Sequence, residues 1–234
     1  MRQIKTIAIK EFKDYFISPI AYIVISLFLI VTGWFFFSTF FIFGRADLRD
    51  FFSLLPIIFS FIIPAITMRL FSEEKNVGSY EIIITMPVST MDVALGKFFA
   101  ATLFTTSMLI PTISYPVFIS FIGEIDPGPV IGGYIGAIFL AGAYCSLGVF
   151  ASSLTRNQII AFIVGCAMCF VLTILDKLLF FMPAKIISVI EFIGANSHFT
   201  NISKGIIDSR DVLYFLSVIF IFIFSTYLVM HEKK

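Results

Sequence analysis

Residues 20–43 run for 24 positions without a charged side chain, and this stretch narrows what the chain can become more than any other. At about 1.5 Å per residue it is long enough to cross a hydrocarbon core roughly 30 Å thick. In lipid every backbone polar group must be paired within the protein, which leaves only helices or closed barrels. Five more apolar runs of helical length follow, at residues 51–68, 98–122, 130–154, 159–175 and 212–230. The reading is an all-α membrane protein, one domain over residues 1–234 with six transmembrane helices. Composition agrees: 13% of residues are charged, about half the share of a soluble domain. A net charge of +1 supplies no basic excess to neutralise phosphates, so nucleic-acid binding is set aside. Cys145, Cys166 and Cys169 all fall in apolar runs, so they read as small buried thiols rather than a disulfide framework or a redox pair.

Ahead of the first run, residues 2–16 have helical periodicity. Arg2, Gln3, Thr6, Lys10, Lys13 and Asp14 share one arc, and Ile4, Ile7, Ala8, Phe12 and Tyr15 share the other. Glu11 and Lys5 intrude on the apolar side. Such a helix is expected to lie in the membrane interface and feed the first span. Pro19 suits a helix start. Pro56 and Pro64 interrupt the second run, and Pro111 and Pro116 the third, so these helices are expected to face protein or a pathway that satisfies the freed carbonyls. In the fourth run small residues recur at a spacing of four: Gly132 with Gly136, Gly133 with Ala137 and Ala141, and Gly142 with Ser146. That pattern predicts close packing inside the bundle. Residues 178–211 are too polar to cross, and their two short apolar pieces, broken at Pro183 and Lys185, predict interfacial or re-entrant helices. His198 and His231 read as isolated, without metal spacing. Lysine and arginine are distributed ten to six in favour of the side that holds both termini, residues 69–97 and Arg156, which makes that side cytoplasmic by the positive-inside rule.

Residues 69–97 form a long polar-containing connection between the second and third runs that holds acids, a glycine, short apolar pieces and a proline. Ser72, Glu73, Glu74 and Lys75 read as a capped acidic turn. Gly78 allows a left-handed backbone, Ser79 caps a second short helix over residues 80–86, and Pro87 ends it. Ser89 and Asp92 have capping-box spacing for the third span. A minimal link needs only a few residues, so this one reads as a docking element, edged by Glu81 and carrying Tyr80. Lys97 reads as an anchor at the headgroups.

The block SEEKNVGSYEIIITMPVSTMDVALGKF, together with SPIAYIVISLFLIVTGWFFFS at residues 18–38, resembles the membrane permease of ABC-2 type transporters, in particular the gliding-motility-associated branch. The resemblance covers nearly the whole chain. It implies a multi-pass protein of the bacterial plasma membrane, a pair of permease subunits (two copies of this chain or this chain with a different permease), and two cytoplasmic ABC ATPase subunits. It places Glu73, Glu74, Gly78, Tyr80, Glu81 and Pro87 on the block that contacts the ATPase. ATP and Mg would sit on that partner subunit, with no cofactor on this chain. The residues agree on this last point. A phosphate-cradling loop needs G-x-x-x-x-G-K-[ST], and the Gly96-Lys97 pair has Met91 at the required glycine and Phe98 after the lysine.

The resulting expectation is a non-catalytic permease subunit, an exporter coupled to separate ATPases. The competing readings are a nucleotide-independent secondary transporter or channel, and a scaffold for an envelope complex. Secondary transporters place ionisable residues within their spans, and the six runs as delimited above contain none.

Overall fold

The computed structural model describes residues 2–43, 47–81, 88–178, 192–206 and 208–231. All regular structure among them is helical. In chain order the helices are α1 (Arg2–Ile17), α2 (Pro19–Phe43), α3 (Arg49–Thr67), α4 (Arg69–Val77), α5 (Thr90–Leu109), a 3₁₀ turn (Pro111–Ile113), α6 (Ser114–Ser120), α7 (Pro127–Leu154), α8 (Gln158–Leu178), α9 (Ala195–Ser203) and α10 (Ser209–His231). Six helical segments are long and apolar enough to cross a membrane, so the chain is a multi-pass membrane protein.

α7 is the axis of the bundle. It touches α3, α4, α5, α8, α9 and α10, and its small residues are what permit that. Gly132, Gly133, Gly136, Ala137, Ala141, Gly142 and Ser146 are all buried. A Cβ placed on Gly133 would lie 2.3 Å from the Phe52 ring, and one on Gly132 would lie 2.4 Å from the Ile202 carbonyl oxygen. The helix starts where local chemistry dictates: Asp126 accepts from the Gly128 amide at 3.0 Å, with Pro127 as the first helical residue. α2, α8 and α10 leave most of their surface outside the bundle, including Trp34, Phe41 and Phe220.

Two helix boundaries differ from expectation, and both differences matter. The third span begins at Thr90, not Phe98, because Ser89 accepts from the Met91 and Asp92 amides at 3.2 and 3.4 Å. Lys97 therefore lies two turns inside a helix. At its far end the same span breaks at Pro111, whose missing N–H ends α5 and leaves the 3₁₀ turn before α6. The second span runs through Met68 into α4 with helical backbone, so Ser72 is no cap. Its hydroxyl donates to the Met68 carbonyl one turn back.

Candidate functional site

Continuation of α3 into α4 carries Glu74 back against the bundle, where it meets Lys97 of α5, which also pairs with Glu11 of α1. α1 lies along α5 at very short range: a Cβ on Gly96 would sit 2.7 Å from Ile7 and 3.4 Å from the Ile4 carbonyl oxygen. Its apolar arc faces protein. Ala8 is buried, the Tyr15 ring stacks on Phe104 at 4.7 Å, and the Tyr15 hydroxyl donates to the Ile66 carbonyl at 3.2 Å. Burial pushes the Tyr15 phenol well above its ordinary pKa, with the Glu11 charge adding to the effect, so it remains a donor.

Beside Gly96, Lys97 is 1% exposed. Its Nζ donates to Glu74 Oε1 at 2.6 Å and to Glu11 Oε1 at 3.0 Å, and it lies 5.3 Å from the centre of the Phe71 ring. One buried ammonium thus joins three helices whose contributing residues are far apart in the chain. A headgroup anchor would keep its charge in water. Lys97 does the opposite, since the helix start at Thr90 sets it against two carboxylates. The triad lines a cavity of about 270 Å³ between α1, α2, α3, α4 and α5, whose rim carries Lys10, Asp14, Arg69 and Glu73 and whose wall is Ala21, Ile66 and Phe104.

The residues expected to act together separate into an inner and an outer set. Glu74 belongs to the triad. Glu73 forms a two-point pair with Arg69 one turn back, at 2.8 and 3.0 Å, and keeps part of its surface exposed. Gly78 ends α4 at φ 80°, the left-handed conformation anticipated for it, and no atom would crowd a Cβ there. Ser79 donates back to the Glu74 carbonyl at 3.4 Å. Tyr80 is buried under the end of α10, its hydroxyl 3.5 Å from the Met230 carbonyl oxygen. Glu81 is exposed. Pro87 and most of the helix expected over residues 80–86 lie outside the described residues.

Ser152 was not singled out by the chain's pattern. It comes from the end of α7, and its hydroxyl accepts from the Phe71 and Ser72 amides at 3.0 and 3.1 Å while donating to the Met68 carbonyl at 2.8 Å. It supplies, from another helix, the cap that α4 lacks in its own sequence. Ser152→Ala strands two buried amides, and the expected loss is about 1–3 kcal/mol, read as a lowered unfolding midpoint in detergent.

Two further expectations are corrected. The long helices do contain ionisable residues: Lys97 in α5, and Asp211 in α10, which is 4% exposed. His198 is not isolated, because its Nδ1 lies 2.6 Å from Asp211 Oδ1. The outward signal for the triad was Glu11, an acid on the apolar arc of α1, which marks a face that meets a cation rather than lipid. Among known proteins, no family model and no curated sequence matches this chain.

Proposed function

We propose that the chain is the permease subunit of an ATP-driven ABC-2 type transporter in a bacterial plasma membrane, acting as an exporter with a second permease, either another copy or a different one. Both termini and the triad lie on the cytoplasmic side in this reading, with α1 as an interfacial helix. The observation that carries it is the Lys97 triad. It binds α1 and α4 to the start of α5, so force applied to the exposed edge at Glu73, Gly78 and Glu81 passes to the second and third spans as one body. Separate cytoplasmic ATPases, holding ATP and Mg, would supply that force through residues 80–87.

Glu81→Lys reverses an exposed charge on the proposed contact, and Gly78→Val puts a branched residue in a left-handed position, a cost of about 1–2 kcal/mol. Both variants are expected to keep ATP hydrolysis by the co-purified ATPase while transport in vesicles falls about tenfold or more. Normal transport by both would remove the coupling assignment.

A second reading, a proton-linked secondary transporter, is favoured by the buried Lys97 and Asp211 within long helices. Uptake or efflux in vesicles driven by a proton gradient, without any ATPase subunit, would select it over the first.

A further inference from the structure

At the end of the bundle remote from Lys97, α9 meets the first turn of α10, and His198, Asp211 and Tyr214 are buried there together, at 7%, 4% and 8% exposure. The His198 Nε2 lies 3.0 Å from the Phe192 carbonyl oxygen, and its Nδ1 lies 2.6 Å from Asp211 Oδ1. The Tyr214 ring stacks on the imidazole with centroids 4.1 Å apart, and its hydroxyl donates to the Ile193 carbonyl at 2.5 Å.

The partners dictate a proton inventory. A carbonyl only accepts, so Nε2 carries a hydrogen. The contact between Nδ1 and the carboxylate needs a second hydrogen, because otherwise two lone pairs face each other at 2.6 Å. The pair therefore holds two protons and is neutral as a whole, which is the condition for burying it. Asp211 lies in the first turn of α10, where the helix dipole favours its anionic form. The second hydrogen therefore belongs to the ring, giving imidazolium against carboxylate.

α8 brings Asp176, which a Cβ on Gly194 would meet at 1.7 Å. Asp176 and Tyr144 of α7 are in electrostatic reach of Tyr214. Lys204, Asp208 and Arg210, on the flanking turn and at the α10 start, are exposed. Loss of the shared proton would leave a net negative charge on the buried pair.

We propose that His198 and Asp211 form a proton-held clasp that fastens α9 and residues 192–194 onto the start of α10, closed while the shared proton is present and released when it is lost. The closed form binds a proton that the released form gives up, so acid favours closure and base favours release. The clasp does not rest on the transporter reading.

The chain has two histidines, so His231→Ala leaves His198 as the only ring to observe. The full-length His231→Ala protein, labelled with ¹⁵N-histidine in lipid nanodiscs, is titrated from about pH 6 to 9. The expected result is a doubly protonated ring at the acid end and loss of the Nδ1 proton in one step. Across that step amide exchange in α9, relative to α7, should rise about tenfold. Asp211→Asn should give a singly protonated ring throughout. His198→Gln, which still donates but carries no titratable proton, should make the α9 to α7 exchange ratio independent of pH. A ring that is singly protonated at all these pH values, or a constant exchange ratio in the His231→Ala protein, would overturn the clasp. That titration decides the matter even where Asp211→Asn fails to fold.

Discussion

Lys97→Met is expected to destabilise the protein by roughly 3–5 kcal/mol, the cost of leaving buried charge without its partner. Among the described residues, the ammonium is the only group within hydrogen-bonding distance that answers Glu74 Oε1, and Glu11 has beyond it only Lys10 at 3.7 Å, a residue whose side chain is 67% exposed. Exposed pairs of that kind contribute little. Methionine matches the aliphatic stem of lysine closely, so packing against Phe71 is largely kept and the loss reports on charge. The check is the combination Glu11→Gln, Glu74→Gln and Lys97→Met, which removes all three charges and should recover most of the lost stability in thermal unfolding. If Lys97→Met alone unfolds at the parent temperature, the triad is not what holds α1 and α4 to α5. Loss of stability without recovery in the triple variant would point instead to packing around the lysine stem.

Gly132→Ala is the second large effect. The added methyl would lie 2.4 Å from the Ile202 carbonyl oxygen and 3.0 Å from the Gly205 Cα. Both obstacles are backbone, so no side-chain rotation relieves the clash, and α9 must move off α7. Overpacking of this kind costs about 1–3 kcal/mol, occasionally more. Gly142→Ala is the matched control. Among the described residues its methyl meets only the Ile219 Cδ1 at 3.2 Å, the end of a flexible side chain, and the expected change is within about 1 kcal/mol. Unfolding midpoints in the same detergent compare the two directly. Equal stability of the variants would mean that α9 is not packed on α7 as closely as described.

The parts of this architecture that depend on local pattern were legible along the chain. Six apolar runs became six spanning helices because backbone polar groups in lipid have no other way to be satisfied. Gly78 took the left-handed conformation and Ser89 capped the third span, since both are decided by a few consecutive residues. The small residues of α7 predicted close packing inside the bundle, and they are buried there. The inner charges were not legible. Hydropathy bounds the third span at Phe98 and leaves Lys97 as a headgroup anchor, although the Ser89 and Asp92 spacing points to an earlier helix start. A helix running from that cap contains Lys97, a charge that needs partners.

Whether an ionisable side chain in a membrane protein faces water, headgroups or another charge depends on what stands opposite it, and hydropathy along one strand of sequence carries no such information. Hydropathy and helix punctuation determined the number of spans, their order and the places where they bend, because those follow from backbone hydrogen bonding and residue-local torsions. Only the tertiary structure decided that Glu11, Glu74 and Lys97 share one buried site and that His198 meets Asp211. These contacts join residues 86, 23 and 13 positions apart, and burial makes a charge tolerable only when the fold delivers its partner to within hydrogen-bonding distance.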